Sequence, residues 1–212
     1  MAVSELRNKR DAIWASLENQ FALYLRGDSQ VVTPLFQLLK KFLFSYFKVR
    51  LSQLVDADDL TQATLLKIHF SRDRFDPERS LKTWVFTIAS RTLIDHYRGH
   101  SSEEKHLGIR STDFEDGELN EGELERIASG LMGPDEKTEL NHDLNLALMT
   151  LKPIDRSVVY LFGVEGLSLA EIGQALHITE AAAKVRAHRA YQSLRKLLVS
   201  FILIAGEFYG YN

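Results

Sequence analysis

The residues best suited to chemistry form a basic helix that follows a short turn in the C-terminal part of the sequence. Ser168 and Glu171 have the spacing of a capping box, which predicts a helix start, and Thr179 is a good N-cap for a second helix. Small side chains predicted to face the core of that second helix are Ala183, Ala187, Ala190 and Leu194. Residues on or beside its outer face are Ala181, Lys184, Val185, His188 and Arg189. This pattern favours a helix-turn-helix that reads the DNA major groove, although a solvated basic face is the alternative.

Other chemistries have weaker support. His96 and His100 are four residues apart and could share a metal ion, but Gly99 interrupts the helix and a suitably spaced third ligand is missing. The acidic run at 56–59 lacks the glycine and the distal glutamate of a calcium loop. The sequence contains no cysteine, which excludes disulfides and thiolate chemistry and agrees with a reducing cytosol. We therefore expect no enzymatic activity, no cofactor and no bound metal.

The elements that position these residues are predicted to be helices. Apolar residues recur every three or four positions, and 45% of the residues are hydrophobic, which suffices for real cores in a chain of 212 residues. Pro34 suits a first helical turn, and the carboxylates of 56–59 suit the positive start of the helix that follows them, in which Phe70 continues the apolar pattern. The predicted helices cover approximately 13–25, 33–47, 60–70, 81–97, 140–151, 154–164, 169–176 and 180–203.

Charge is unevenly distributed along the chain. Residues 1–100 carry a net charge of +4, residues 101–149 carry −9 and residues 150–212 carry +2. Helical periodicity fades between Gly99 and Leu140, over a length that is too great for an ordinary loop within one domain. We predict two small helical domains at 1–100 and 140–200, a flexible acidic linker at 101–139 and an apolar extension at 201–212.

The sequence favours a cytoplasmic protein. Met1–Asp11 carries charges and lacks the apolar core of a signal peptide. The longest apolar run, Leu197–Ala205, is interrupted by Ser200 and is well short of the roughly 20 residues that a membrane-spanning helix needs. We therefore expect no membrane insertion.

Two sets of motifs resemble one known family, the bacterial RNA polymerase sigma factors. Motifs similar to region 4 of the family lie at Leu148–Phe162, Glu165–Ile172, Leu176–Glu180 and Lys184–Ala190. Motifs similar to region 2 lie at Asp56–Ile68, Phe75–Ala89 and Asp95–Arg98. The two sets occur in the family's order with no folded domain between them, which is typical of the extracytoplasmic-function (ECF) group. The resemblance covers about Val31 to Leu198.

The resemblance implies a transcription initiation factor whose partners are core RNA polymerase and promoter DNA. In the family, the Asp-Asp-Leu-x-Gln helix docks on the polymerase clamp helices, so the implied contacts here are Asp58, Asp59 and Gln62. The residues implied to bind or open the minus-10 element are Phe75, Ser80, Lys82, Trp84, Arg91 and Arg98. Those implied to bind the minus-35 element are Thr179, Glu180, Lys184, Arg186, His188 and Arg189. An anti-sigma factor or another regulator is a further expected partner.

Alternatives stay open for individual residues. Asp58 and Asp59 could serve only as helix caps, Trp84 is of a type that more often packs in a core, and a solvated basic face would also explain Lys82 and Arg98. Arg91 stands where many members have Asn, and the run at 181–183 is Ala-Ala-Ala where Gly-Thr-Val is common. The promoter sequence is therefore left open.

Alternatives also stay open for whole segments and for the function. The acidic linker would either thread the polymerase channel later used by RNA or act as a solubilising spacer. The extension at 201–212 would either pack into the core of its own domain or dock a partner. The alternative function is a stand-alone helix-turn-helix regulator that binds DNA without the polymerase.

Overall fold

A computed structural model of the protein describes the backbone of residues 2–51, 54–99 and 147–209, and the side chains within 8–51, 54–98 and 147–197. In the N-terminal half the helices are α1 (Ala2–Leu25), α2 (Val32–Lys48), α3 (Leu54–Ser71), a short 3-10 helix (Arg72–Arg74) and α4 (Leu81–Gly99). In the C-terminal half they are a helical turn at 147–150, α5 (Pro153–Gly163), α6 (Leu169–Leu176) and α7 (Glu180–Tyr209). These described ranges contain no strand, which confirms the predicted all-α class.

Two predicted segments fall wholly or partly outside this description. The linker predicted at 101–139 lies outside the described residues. Of the extension at 201–212, the structure describes only the backbone of 201–209, in which α7 runs past the predicted end at 203 to Tyr209. Within the part of the chain that the structure covers, no helix combines the length and the apolar character needed to cross a membrane.

Helices α1 and α2 meet through the apolar faces that their periodicity predicts. Trp14, Leu17 and Phe21 of α1 are buried, and the Trp14 ring lies 4.9 Å from the ring of Phe42 on α2. The chain turns between the two helices at Gly27, whose φ of +89° lies in the left-handed region that favours glycine. Burial of these aromatic faces therefore fixes α1 against α2.

Helix α3 begins earlier than the sequence predicts. It starts at Leu54, so Asp56 lies in the first turn while Asp58 and Asp59 already lie in the second. The predicted start after the acidic run was wrong because the run was read as a cap, whereas only Asp56 is close enough to interact with the helix dipole. The expected apolar role of Phe70 also differs, since its side chain is 78% exposed and points away from the core.

Helix α4 lies at the centre of the N-terminal unit. Val85, Phe86 and Ala89 are fully buried, and the Phe86 ring lies 5.8 Å from that of Trp14 and 5.3 Å from that of Tyr46. Each of α1, α2 and α3 contacts α4. The position of α4 is therefore fixed by three other helices.

The C-terminal unit packs around the inner faces of α5, α6 and α7. Pro153 occupies the start of α5, where its missing N–H costs no hydrogen bond. Ile172 of α6 and the predicted core side chains of α7 are buried: Ala183, Ala187, Ala190 and Leu194. The small alanine side chains let α7 lie close to its neighbours, as the sequence predicts.

The two units share an interface, which the sequence does not predict. Helix α6 packs along α4, and buried side chains of both units form one continuous apolar cluster. A small cleft remains where the units meet, lined by residues that include Tyr46, Leu93, Ile154 and Leu176. The helix-turn-helix is therefore seated directly on the helix at the centre of the other unit.

Candidate nucleic-acid interface

The turn between α6 and α7 has the geometry of a helix-turn-helix. The Glu171 amide donates to Ser168 Oγ (3.3 Å), while the Ser168 amide donates to Glu171 Oε2 (2.9 Å), which confirms the predicted capping box. Helix α6 ends at Leu176, and the C-cap residue His177 adopts a left-handed conformation with φ 55°. A Cβ on Gly173 would lie 2.9 Å from the Ile178 carbonyl oxygen, so the turn folds back tightly over this glycine.

The start of α7 presents most of the residues predicted to bind the minus-35 element. Thr179 is the N-cap, accepting from the Ala182 amide through Oγ1 (3.1 Å), and Glu180 is exposed in the first turn. Lys184 and Arg189 are exposed, whereas His188 is half-buried and bonds Gln192 (2.7 Å). The structure thus brings these side chains to one end and one side of a single helix.

Arg186 differs from the other predicted α7 residues. Its Nη1 donates to Asp155 Oδ1 on α5 (2.9 Å), and both side chains are only 18% exposed. The ion pair ties the second helix of the helix-turn-helix to α5. Arg186 therefore has a structural partner in addition to its predicted DNA contact.

The loop before α4 brings Phe75 and Trp84 together. Their ring centroids are 5.2 Å apart, and both rings pack edge-on against the buried Phe21 of α1, at 5.2 and 5.6 Å. Both side chains are half-buried. Ser80 caps α4, since the Thr83 amide donates to its Oγ (3.3 Å). The two rings form a partly open aromatic cluster at the start of α4.

The predicted cations of α4 occupy three different environments. Lys82 is only 13% exposed, and its Nζ donates to Asp11 Oδ1 (3.0 Å) and to the backbone oxygen of Glu165 (2.8 Å). The Arg91 Nε lies 2.8 Å from the His177 Nε2, which can accept as a neutral imidazole. Partial burial, with a smaller effect of the Arg91 charge, lowers the pKa of His177. Arg98 is exposed.

The acidic face of α3 is open. Gln62 Nε2 donates to Asp58 Oδ2 (2.6 Å), and Lys40 of α2 pairs with Asp58 at 3.3 Å. The hydrogen bond from Gln62, followed by the contact with Lys40, lowers the pKa of Asp58. Asp59 and Gln62 are exposed. The three predicted residues therefore lie together in the first half of α3.

Two apolar side chains extend this face and were missed by sequence reasoning. Leu66 and Phe70 follow Gln62 at intervals of four residues and are 57% and 78% exposed. A helix places residues at that spacing on one side. The signal that could have identified them is their mismatch with the buried positions Leu60, Thr64 and Ile68 of the same helix. We call Asp58, Asp59, Gln62, Leu66 and Phe70 the α3 face.

A buried glutamate between the two units was also missed. The side chain of Glu165 is 0% exposed and accepts from Arg10 Nη2 (2.6 Å) and Nε (3.2 Å) and from Trp14 Nε1 (3.1 Å). The hydroxyl of Tyr160 is buried nearby, and this burial, reinforced by the Glu165 charge, raises its pKa. An isolated glutamate in a turn gives no sequence signal for a partner 155 residues away.

Arg50 forms a second buried contact across the units. Its guanidinium lies between the rings of Tyr46 (3.6 Å) and Tyr160 (4.9 Å), and its Nε donates to Ser157 Oγ of α5 (2.8 Å). Burial lowers the pKa of Arg50. Cation–π contacts and hydrogen bonds offset the cost of burying this charge.

Metal ligands are not clustered in the part of the chain that the structure describes. No group of three or more His, Asp or Glu side chains there could hold an ion. His100, one of the two histidines considered from the sequence, lies outside the described residues.

Two regions of the chain match known family models. Residues 32–103 match the family described as Sigma-70 region 2, and residues 142–194 match Sigma-70, region 4. The first range contains α2, α3 and α4, and the second contains α5, α6 and the start of α7. Helix α1 precedes both ranges.

Curated relatives match this chain over most of its length. The chain is 35% identical over 178 residues to the ECF RNA polymerase sigma factor SigF of Caulobacter vibrioides, covering 82% of this chain and 90% of the relative. It is 34% identical over 142 residues to the RNA polymerase sigma factor CarQ of Myxococcus xanthus, covering 67% and 74%. It is 26% identical over 175 residues to the ECF RNA polymerase sigma factor SigW of Bacillus subtilis, covering 82% and 91%.

Solved structures share the fold. CnrH, solved in complex with the cytosolic domain of CnrY, matches with a TM-score of 0.58 and 22% identity, covering 86% of this chain and 97% of that chain. The sigma factor RpoE, solved with the anti-sigma factor NepR from Bartonella quintana, matches with a TM-score of 0.56 and 24% identity, covering 76% and 92%. The predicted family and fold are thereby confirmed.

Proposed function

Because the chain belongs to the ECF group of RNA polymerase sigma factors, which direct transcription initiation, we propose that α3 binds core polymerase, α4 opens the minus-10 element and α7 reads the minus-35 element. The observation that carries this proposal is the outer side of α7, where Lys184 and Arg189 are exposed above a buried stripe of alanines. A helix supported in this way can enter the major groove with its first turns.

The minus-35 contacts divide by chemistry. Lys184 and Arg189 would neutralise phosphates or bind base edges, and Thr179 and Glu180 lie at the end of α7 that enters the groove first. His188, whose ring is hydrogen-bonded to Gln192, would contact the DNA from the same helix. Arg186 would bind DNA in exchange for its contact with Asp155.

The polymerase contact would use the α3 face. Asp58 and Asp59 supply charge for a basic partner, which speeds association and fixes orientation. Leu66 and Phe70 add exposed apolar surface beside them, and exposed aromatic residues are typical anchors of protein interfaces. A stretch of acidic residues followed by apolar ones suits a partner helix pair with basic and apolar stripes.

The minus-10 element would be opened by the loop and helix at 75–98. Phe75 and Trp84 provide a stacking surface for unpaired bases, while Lys82, Arg91 and Arg98 provide cations for phosphates. Ser80 caps the first turn of α4, which carries Lys82 and Trp84. Trp84 is half-buried on Phe21, which holds its ring in place for such a contact.

Domain limits and partners complete the proposal. Region 2 would comprise residues 1–100 and region 4 residues 140–200, with the acidic segment 101–139 as the tether between them. The protein would act in the cytoplasm, where the polymerase and the promoter are. Since the sigma factor RpoE, which shares this fold, was solved with the anti-sigma factor NepR, a protein regulator of this kind is a further proposed partner.

The experiment is reconstitution with purified core polymerase and mapping of transcript starts on genomic DNA. We expect starts that share two short elements with a constant spacing, and we expect these starts only when both proteins are present. A footprint at the same sites by the protein without polymerase would instead favour the stand-alone regulator. Failure to bind core polymerase would refute the proposal.

A further inference from the structure

Helix α1 reaches across to the C-terminal unit although it lies before both family-matched ranges. Its Arg10 forms a two-point ion pair with Glu165, and its Trp14 donates to the same carboxylate. The Arg10 side chain is 25% exposed and that of Glu165 is fully buried. The turn that precedes α6 is therefore held by a charged contact from the first helix of the chain.

The groups around this pair join α1, α4 and the turn. Lys82 of α4 donates to the Glu165 backbone oxygen (2.8 Å) and pairs with Asp11 of α1 (3.0 Å). The Lys82 Nζ also lies 5.8 Å from the centre of the Trp14 ring. Two cations and two carboxylates thus alternate across the contact, so the charges are balanced when the units are together.

The same closure covers the side of α4 that faces α6. Lys82 is 13% exposed, Thr83 Oγ1 bonds Glu171 Oε1 (3.0 Å), and Arg91 bonds His177 (2.8 Å). Phosphates cannot reach Lys82 while the Glu165 turn lies over it. In this closed form the helix-turn-helix occupies part of the surface that opens the promoter.

We propose that Arg10 is a clasp: its contact with Glu165 keeps the free protein closed and covers α4 until the units separate. The proposal rests on the function assigned above to α4. The Arg10–Glu165 ion pair suits a reversible contact, because both charges regain their hydration when the units separate. The closed form is therefore favoured only modestly. A partner that binds only the open form then shifts the population.

The first experiment measures closure in the full-length free protein. Because the chain has no cysteine, a donor and acceptor dye can be attached at Ser45→Cys on α2 and Ser193→Cys on α7, both exposed positions. We expect energy transfer to fall in Arg10→Ala, which leaves Glu165 buried without its cation. The matched control is Lys9→Ala, which removes an exposed cation from the same helix and keeps the transfer of the parent protein.

The second experiment measures the covering of α4. Acetylation of lysines by a succinimide ester, followed by mass spectrometry, gives a rate for Lys82 relative to the exposed Lys48. We expect the relative rate to rise about fivefold in Arg10→Ala and to stay unchanged in Lys9→Ala. Glu165→Gln, which keeps the size of the side chain and removes its charge, should give a smaller rise.

The outcomes separate this proposal from the proposed function. Unchanged transfer and unchanged Lys82 reactivity in a folded Arg10→Ala would overturn the clasp, as would low transfer in the parent protein. Loss of the helical circular-dichroism signal in both Arg10→Ala and Glu165→Gln would overturn the clasp too, since the ion pair would then serve folding and not closure. Both measurements use the free protein, so they stand whether or not core polymerase binds.

Discussion

The α3 face and the inner side of α4 belong to the same helical unit but meet opposite surroundings. Leu66 and Phe70 are 57% and 78% exposed, whereas Lys82 is 13% exposed and Thr83 is 7% exposed beneath the C-terminal unit. The surface proposed for polymerase is thus accessible in the free protein, whereas Lys82, one of the residues proposed for the minus-10 element, is covered together with its neighbour Thr83. This difference implies an order in which the polymerase binds first and promoter opening follows.

The largest expected effect comes from distorting the turn between α6 and α7. In Gly173→Ala the new Cβ would lie 2.9 Å from the Ile178 carbonyl oxygen and 3.3 Å from the Glu180 amide nitrogen, so the turn must shift. We expect a loss of about 1–3 kcal/mol in the free energy of unfolding by urea. Promoter-directed transcription should fall more than about tenfold, because α7 can no longer be aimed.

Gln174→Ala is the matched control, since Gln174 is exposed beside Gly173 and alanine is a strong helix former. Affinity for core polymerase, measured by fluorescence anisotropy, should be unchanged in both variants. A loss of polymerase affinity of about tenfold in Gly173→Ala would show that the α3 face depends on the closed arrangement. The contrast between the α3 face and the covered side of α4 would then fail.

The next effect tests the α3 face alone. Phe70→Ala should weaken binding to core polymerase about tenfold, as is typical for an aromatic anchor, without lowering the melting temperature, because the side chain is exposed. Leu23→Ala, which trims a 40% exposed apolar residue on α1, serves as the control. Normal affinity in Phe70→Ala would remove the apolar half of the α3 face from the interface.

A third effect distinguishes two cations on α7. Lys184→Ala should lower promoter-directed transcription about tenfold at unchanged polymerase affinity and unchanged stability, because Lys184 is exposed. Arg186→Ala should lower transcription and also cost about 1 kcal/mol in stability, because it breaks the half-buried pair with Asp155. The paired readouts are transcript yield and urea denaturation. Reduced polymerase affinity in both variants would count against region 4 as a DNA reader.

The smallest effect is a pH response of the closed form. The pKa of His177 is lowered from its ordinary 6.5, so the folded, closed protein favours the neutral ring. The stability that the neutral His177 ring contributes to the closed form is fully present above pH about 6.5. It is lost as the pH falls below that value through the lowered pKa. Energy transfer between the dyes should therefore drop slightly from pH 7.5 to 5.5.

In His177→Asn the left-handed backbone is retained, since Asn tolerates φ near +55°, but the titrating group is gone. The drop in transfer should shrink in this variant. A drop of the same size would assign the pH response to another histidine.

Local features of the fold were predictable because they depend on neighbours along the chain. The capping box at Ser168, the N-cap at Thr179 and the alanine stripe of α7 follow from hydrogen-bond geometry and helical period, and each is present in the structure. The family motifs then gave both regions and their order.

The features that escaped prediction depend on distant residues or on the partner. The Arg10–Glu165 contact spans 155 positions, and neither residue differs in type from many solvated ones. Phe70 is apolar like the core residues of α3, and only its offset from Leu60, Thr64 and Ile68 along the helix indicates that it faces outward. Sequence reasoning thus predicted the helix-turn-helix but not the contact that covers one side of α4.

The alanine stripe of α7 has a consequence for how promoter preference can change. Ala183, Ala187 and Ala190 carry the packing of the helix, while Lys184 and Arg189 take no part in the core. Under the proposed reading of the minus-35 element by α7, substitutions at these outer positions would alter which bases are preferred without disturbing the scaffold. A duplicated copy of such a protein could acquire a new set of target promoters by a few surface changes, and a library randomised at these positions would yield folded variants for selection.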